Sequence, residues 1–321
     1  MFRRSLVAVL AASFALIACG GGASSTSGPT KITMGFAQVG AESGWRTANT
    51  KSIQSAAAAA GVDLKFSDAQ QKQENQIKAI RSYIQQKVSV IAFSPVVVSG
   101  WDTVLKEAKD ANIPVILTDR AVDSQDKTLY KSFLGSDFVL EGQKAGQWLV
   151  DNSKNATGTV NIVEIQGTVG AAPAIDRKKG FADAIAANPN LKVIASQSGD
   201  FTRSGGKQVM EAFLKNYPKI DVVFAHNDDS GLGAIEAIKA AGKVPGKDMK
   251  IITIDAVHDG MVALAAGEIN FIAECSPLLG PQLMDIAKKV VAGQSVPARI
   301  LTQETTFTQE QAVAALPNRQ Y

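Results

Sequence analysis

Short apolar runs alternate with longer amphipathic stretches along most of the chain. Several runs are apolar at nearly every position, as in Val-Val-Phe-Ala at 222–225, which is typical of strands buried on both faces of a parallel sheet. Predicted strands cover 32–36, 64–67, 88–94, 115–119, 131–134, 160–165, 193–197, 222–225, 251–255 and 271–273. Helical periodicity predicts helices over 47–60, 71–87, 101–111, 204–217 and 231–241. This alternation indicates an α/β fold with parallel sheets.

The alternation restarts midway through the chain. About four strand–helix units precede Leu134, and about four follow Val160. Because this many strands would make one open sheet unusually long, we predict two similar lobes, with a cleft between the ends of their strands.

Polar and charged residues follow the carboxyl ends of these strands, the edge at which open α/β sheets bind ligands. The segment 40–46 reads Gly-Ala-Glu-Ser-Gly-Trp-Arg and brings a carboxylate, a hydroxyl, an indole and a guanidinium into one turn. An aromatic ring beside charged groups suits a polyol, since the ring covers a C–H face while the charges bond hydroxyls. Similar polar groups follow later strands at 68–71, 94–95, 119–120, 166–168, 199–203, 226–229 and 254–255.

A helix cap is the alternative interpretation of any single polar residue at such a position. It applies here to Ser94, Asp137, Thr202 and Ser230. The recurrence of charged and amide groups at the same edge nevertheless predicts a ligand site in the cleft.

Composition argues against nucleic acid, because 33 basic and 30 acidic residues nearly balance and no Lys/Arg-rich tract occurs. Catalysis and cofactors are not indicated, since nucleophile-elbow and phosphate-loop motifs are absent. The two histidines, His226 and His258, lack metal-ligand spacing with each other or with Cys275. A glycosidase pairing Glu42 with another carboxylate is a disfavoured alternative. We expect a binding protein without enzymatic activity, metal or cofactor.

The N-terminus predicts export. A positive segment at 1–4 precedes an apolar run at 6–17 that is shorter than the ~20 residues of a spanning helix. Residues 16–19 read Leu-Ile-Ala-Cys and resemble a bacterial lipobox, which implies a signal peptide over 1–18 and acylation of Cys19. The alternative is an ordinary secretory signal with a chance cysteine. Residues 19–30 would form a flexible tether, and Cys275 a buried structural thiol.

Several long stretches resemble one family, the ribose/galactose-type periplasmic sugar-binding proteins of ABC importers, and within it the galactofuranose-binding type. The matching stretches are 35–46, 70–79, 105–111, 119–120, 163–170, 175–181, 197–204 and 225–229. The resemblance implies two Rossmann-like lobes joined by a three-strand hinge, with crossings near Ser136, Cys275 and Thr305. The first lobe would contain 31–136 and 275–304, and the second 137–274 and 305–321.

The resemblance also implies a monomer that captures a monosaccharide, galactofuranose or a similar hexose or pentose, and delivers it to an ABC permease. A secreted sugar sensor is the alternative, and a transcription regulator of the same fold is disfavoured by the export signal. The loop at 256–258 and the C-terminal third diverge from the narrower match, so the sugar class is better predicted than the sugar. The implied ligand contacts are Glu42, Ser43, Gly44, Trp45, Arg46, Asp119, Arg120, Arg177, Phe201, Asn227, Asp255 and Glu274.

Overall fold

A computed structural model describes residues 31–321. The predicted signal peptide, the tether and Cys19 lie outside the described residues. Within 31–321, every helix is too short or too polar to cross a lipid bilayer.

The first of two six-stranded sheets is entirely parallel. Its strands are β1 Thr33–Gln38, β2 Asp63–Asp68, β3 Val90–Phe93, β4 Val115–Thr118, β5 Ser132–Gly135 and β11 Arg299–Leu301, in the order β11-β5-β4-β3-β1-β2.

The second sheet is parallel except at one edge, where its last strand runs antiparallel to its neighbour. Its strands are β6 Val160–Gln166, β7 Leu191–Ser198, β8 Val222–Ala225, β9 Lys250–Asp255, β10 Phe271–Glu274 and β12 Thr306–Phe307, in the order β12-β10-β9-β8-β6-β7.

Helices cover both faces of each sheet, which is why the strands are apolar on both sides. The helices are α1 Gly44–Ala60, α2 Gln73–Gln85, α3 Asp102–Asp110, α4 Phe138–Asp151, α5 Ala172–Ile185, α6 Arg203–Asn216, α7 Asp228–Ala240, α8 His258–Ala265, α9 Gly280–Val291 and α10 Gln309–Ala315. On the first sheet, α1 and α9 pack on one face and α2 and α3 on the other. On the second sheet, α4 and α5 pack on one face and α6, α7, α8 and α10 on the other.

The prediction of two parallel α/β lobes is confirmed. Each of the ten predicted strands is present, and all but the strand at 222–225 have shifted ends. The sequence did not predict β11 and β12, because three and two residues are too few to show a pattern.

The helix-cap interpretation holds for two of the four residues to which it was applied. Asp137 caps α4 and Thr202 caps α6 through side-chain oxygens that accept backbone N–H groups. It is wrong for Ser94, whose hydroxyl donates to Asp119 Oδ2 at 2.9 Å, and for Ser230, which lies inside α7.

The chain passes between the sheets three times, after β5, after β10 and between β11 and β12. These segments are bonded to one another. Ser136 Oγ lies 3.3 Å from Cys275 Sγ, and Glu304 Oε1 accepts hydrogen bonds from the Ser276 N–H at 2.9 Å and the Thr302 hydroxyl at 2.8 Å. Side-chain contacts therefore link the three segments that connect the lobes, and any relative motion of the lobes must bend these segments.

Candidate functional site

Residues from the carboxyl ends of both sets of strands surround one small cavity. Its lining residues are Glu42, Ser43, Trp45, Arg46, Asp119, Arg120, Pro173, Arg177, Phe201, Asn227, Asp255 and Cys275. All are predicted ligand contacts except Pro173 and Cys275. The structure thus brings together ten of the twelve predicted residues, leaving out Gly44 and Glu274.

Four buried charges of alternating sign form the first-sheet side of the cavity. The Arg46 guanidinium lies 3.1 Å from Glu42 Oε1 and 2.8 Å from Asp119 Oδ2. Arg120 lies farther from the same two oxygens, at 3.6 and 3.8 Å. Because each carboxylate faces both guanidinium groups, the group is neutral as a whole, which reduces the cost of burying it.

Both arginines remain cationic at neutral pH. Burial tends to lower the pKa of Arg46, but the adjacent Asp119 and Glu42 carboxylates raise it above its ordinary value. Burial and the nearby Arg46 charge lower the pKa of Arg120 to about 10. Glu42 Oε2 and Arg120 Nε are buried and have no hydrogen-bond partner among residues 31–321. Buried polar groups are normally bonded, so these atoms indicate a polar ligand.

Local backbone structure places these charges. Ser43 caps α1, its hydroxyl oxygen accepting the Arg46 N–H at 3.1 Å, so Trp45 and Arg46 fall in the first turn. Asp119 follows β4 with φ of 60°, in the left-handed region. Its carbonyl oxygen approaches Gly135 so closely that a Cβ there would lie 2.7 Å away.

The second-sheet side is built around Arg177, in the second turn of α5. Its Nε lies 2.7 Å from Glu141 Oε2, and its Nη1 donates to the His226 carbonyl at 2.6 Å. Its Nη2 lies 3.6 Å from Asp255 Oδ1. Burial tends to lower the pKa of Arg177, but the Glu141 carboxylate and other neighbours raise it above its ordinary value.

An aromatic ring and an amide complete this side. Asn227 caps α7 and donates from Nδ2 to the Phe201 carbonyl at 3.0 Å. Phe201 has φ of 62°, and its ring lies directly on the backbone of Gly167. A Cβ at Gly167 would lie 1.9 Å from the ring, so only glycine permits this position.

Sequence reasoning did not identify the residues that support Arg177 from behind. Nothing in the sequence near Glu141 indicates a role at the site, because it is one polar residue within a helix. His226 has Nε2 3.0 Å from Glu164 Oε1 and is fully buried. Its position after a predicted strand was a visible signal, but its partner lies 62 residues away.

The two sides of the cavity touch each other. Asp229 Oδ2 accepts the Gly44 N–H at 2.8 Å, and the Arg120 guanidinium lies 5.2 Å from the Phe201 ring centroid. The Trp45 indole N–H donates to the Cys275 carbonyl at 2.7 Å. The structure is therefore a closed arrangement, and it places Gly44 at a contact between the lobes rather than in the cavity lining.

Glu274 also lies away from the cavity lining. Its Oε1 accepts from Arg319 Nη1 at 2.7 Å, and its Oε2 accepts the Thr305 N–H at 3.1 Å. The carboxylate is occupied by the C-terminal segment, a partner that local sequence does not reveal.

One group among residues 31–321 has the side-chain types and spacing of a metal site. Glu141, Cys275 and Glu304 have ligand atoms within 4.8 Å of one another. However, Glu141 is already bonded to Arg177, and Glu304 to groups of the crossing segments. Burial and nearby carboxylates raise the pKa of the Cys275 thiol, so the thiol is protonated at neutral pH. The surroundings favour hydrogen bonding over metal binding.

Comparison with known proteins assigns the family. Residues 34–295 match the model of the periplasmic binding protein domain. The chain belongs to this family. The chain is 50% identical over 293 residues to the galactofuranose-binding protein YtfQ of Escherichia coli K12. The aligned region covers 90% of this chain and 91% of that protein.

Two solved structures extend this similarity. A Mycobacterium smegmatis protein in complex with β-D-fucofuranose is 69% identical, with a TM-score of 0.89 over 90% of this chain and 95% of its own. The periplasmic binding component of the arabinose ABC transporter of Shewanella sp. ANA-3, bound to α- and β-L-arabinofuranose, is 48% identical with a TM-score of 0.86, covering 90% and 96%. The Escherichia coli and Shewanella relatives are described as binding proteins.

Proposed function

We propose that this chain is the substrate-binding component of an ABC importer and that it captures a monosaccharide in its furanose form. The observation that carries the proposal is a cavity shared by the two lobes and lined by paired charges, an amide and two aromatic rings. We assign one sugar ring to this site.

The polar lining matches the chemistry of a sugar. A buried hydroxyl requires both a donor and an acceptor, or its burial costs about 1–3 kcal/mol. Glu42 Oε2 is an acceptor and Arg120 Nε a donor, and each is otherwise unpartnered. We assign them to neighbouring hydroxyls of the ligand, with Phe201 and Trp45 against its C–H faces.

Furanose selectivity rests on the relatives, whose described ligands are galactofuranose, β-D-fucofuranose and arabinofuranose. We propose that the ten predicted contact residues that line the cavity bind the sugar.

Binding would work by stabilising the closed arrangement. In an open form the two half-sites are separate and hydrated, and a sugar that bonds both of them favours closure through these additional contacts. The closed surface would then be recognised by the permease.

Calorimetric titration tests this function. The panel is D-galactose, D-fucose, L-arabinose and D-ribose, with 1,4-anhydrogalactitol as a locked five-membered ring and 1,5-anhydrogalactitol as a locked six-membered ring. We expect the five-membered analogue to bind at least tenfold more tightly. Absence of heat across the whole panel would refute sugar binding, and preference for the six-membered ring would refute the furanose assignment alone.

The remaining assignments concern lobes and location. We infer lobe boundaries at 31–136 with 275–304 and at 137–274 with 305–321, since β11 pairs with β5 whereas β12 pairs with β10. From the sequence, we propose a monomer exported by residues 1–18 and lipidated at Cys19. Mass spectrometry of the mature N-terminal peptide tests lipidation, with Cys19→Ser as the unmodified control.

A further inference from the structure

The turn after β9 carries backbone strain at the edge of the cavity. Asp255 has φ of 126° and Ala256 has φ of 66°, two successive non-glycine residues at positive φ. Such conformations are energetically unfavourable for residues with a side chain and persist only where surrounding contacts impose them. Asp255 lines the cavity and faces Arg177, so the contacts that hold this turn also hold a ligand-facing carboxylate.

Hydrogen bonds hold the turn on both its amide and its carbonyl groups. On the amide side, the buried Asp228 accepts the Val257 N–H at 2.8 Å and the Thr253 hydroxyl. On the carbonyl side, Arg319 Nε donates to the Ala256 carbonyl at 2.7 Å. The two contacts leave little room for the turn to relax to negative φ.

Arg319 is itself fixed by the end of the chain. Its Nη1 donates to Glu274 Oε1 at 2.7 Å, and its Cζ lies 4.1 Å from the ring centroid of Tyr321. The Tyr321 hydroxyl bonds the same Glu274 oxygen at 3.0 Å. The guanidinium is thus orientated by Glu274 and Tyr321, and Glu274 supports the site indirectly.

We propose that Arg319 is a positioning residue of the ligand site, acting through the Ala256 carbonyl to hold Asp255 in the strained conformation that faces the cavity. The inference rests on the proposed function for its effect on sugar affinity. Its structural part, the restraint on residues 255–257, holds for the protein without sugar.

Amide hydrogen exchange of the sugar-free protein tests the restraint directly. We expect Arg319→Ala to accelerate exchange of the Val257 N–H at least tenfold, while strand β1 exchanges as in the wild type. Arg81→Ala is the matched control, because it removes an arginine bonded to Glu107 at 2.8 Å on an exposed surface. Unchanged Val257 exchange in Arg319→Ala would overturn the proposal.

Affinity for D-galactose, measured by titration calorimetry, tests the action through Asp255. We expect about a tenfold loss in Arg319→Ala, partial recovery in Arg319→Lys, and no change in Arg81→Ala. In an Asp255→Asn background, the loss caused by Arg319→Ala should shrink below twofold, since interacting residues are non-additive.

An equal loss in both backgrounds would show that Arg319 acts on stability in general and would refute the positioning role. If Asp255→Asn binds too weakly to measure, hydrogen exchange decides alone. If the wild type binds no sugar of the panel, the proposed function fails, while the exchange experiment still reports on the restraint.

Discussion

The half-site on the first sheet contains four formal charges in direct contact, whereas that on the second sheet contains Arg177, Asp255, an amide and an aromatic ring. On the first side each charged group has its oppositely charged partners among the other lining residues, and Gln38 and Ser94 add hydrogen bonds from behind. On the second side the nearest partners lie behind the lining, as Glu141 behind Arg177 and Arg319 behind the turn at Asp255. The ion pairs of the first half-site therefore lie within the lining, whereas the second half-site depends more on residues behind it.

This difference determines where each side is vulnerable. In the first half-site, removing one charge leaves an oppositely charged neighbour buried without its partner. The side chains of all four residues are at most 5% exposed, so water cannot take the partner's place. In the second, substitutions that never touch the ligand should still disturb it. The following predictions test this contrast, beginning with the largest effect.

Arg46→Met should be the most damaging substitution. It leaves Glu42 and Asp119 buried without their nearest cation, and removing one partner of a buried ion pair typically costs 3–5 kcal/mol. We expect a loss of about 4 kcal/mol in unfolding free energy by urea titration and at least a hundredfold weaker D-galactose binding. Arg81→Met, at an exposed pair, should change neither quantity appreciably. Wild-type-like stability of Arg46→Met would contradict the dependence of this half-site on its ion pairs.

Glu164→Gln should weaken the second half-site from behind. Burial alone would raise the pKa of Glu164. The opposing effect of hydrogen bonds from His226 and Ser196 and of the Lys178 charge is larger, so the pKa falls from the ordinary 4.5 to about 2. Burial also lowers the pKa of His226, so its ring is neutral at pH 7 and only part of this shift acts there. At about 1.4 kcal/mol per pH unit, we expect a stabilisation on the order of 1–3 kcal/mol. A depressed carboxyl pKa stabilises the fold above the unfolded-state value, and this contribution disappears as pH falls through the folded-state value.

Urea titrations from pH 7 to pH 2 give the test for Glu164→Gln. We expect a deficit against the wild type that is constant above about pH 4.5 and closes as pH falls towards 2. Glu107→Gln, at the exposed pair with Arg81, serves as the control. A deficit that is independent of pH across this range would argue against the ionised Glu164 as the source of the stabilisation.

The same contrast explains what the sequence revealed. Part of the first half-site was predictable because Glu42, Ser43, Trp45 and Arg46 lie within one turn after a strand, so their proximity follows from local structure. Asp119 and Arg120 were assigned as ligand contacts beside them only by the family resemblance. The two parallel sheets were predictable for a related reason, since apolar runs and helical periodicity are local patterns.

The supports of the second half-site were not predictable, because they depend on contacts between distant segments. Arg177 meets Glu141 across 36 residues, and Arg319 meets Ala256 across 63. Glu274 was placed at the ligand by resemblance, but Arg319 holds its carboxylate outside the cavity lining. The strand end was located correctly, whereas the direction of the side chain depended on a partner near the C-terminus.

Gly167→Ala should act on the second half-site by displacing an aromatic ring. The new Cβ would lie 1.9 Å from Phe201, so the ring must leave its position against the cavity. We expect about a tenfold loss of D-galactose affinity, or about 1.4 kcal/mol, with little loss of fold. Gly158→Ala is the matched control, because nothing lies within 4 Å of its added Cβ. Unchanged affinity in Gly167→Ala would exclude Phe201 as a ligand contact.

Asp229→Ala should have the smallest effect, because it removes a contact between the half-sites without altering either one. Asp229 Oδ2 accepts the Gly44 N–H only where the lobes are closed together, so its loss favours opening. One hydrogen bond contributes about 1 kcal/mol, which predicts roughly fivefold weaker D-galactose binding through faster dissociation.

Asp259→Ala is the control for this contact. Arg203 lies 3.9 Å from Asp229 Oδ1 and 3.0 Å from Asp259 Oδ2, but the Gly44 N–H donates its hydrogen bond to Asp229. Stopped-flow dissociation should therefore accelerate in Asp229→Ala and stay unchanged in Asp259→Ala. Equal acceleration in both variants would attribute the effect to Arg203 and the local charge instead of the bond between the lobes. Because Asp229 does not line the cavity, a selective effect would also separate the energy of closure from the energy of ligand contact.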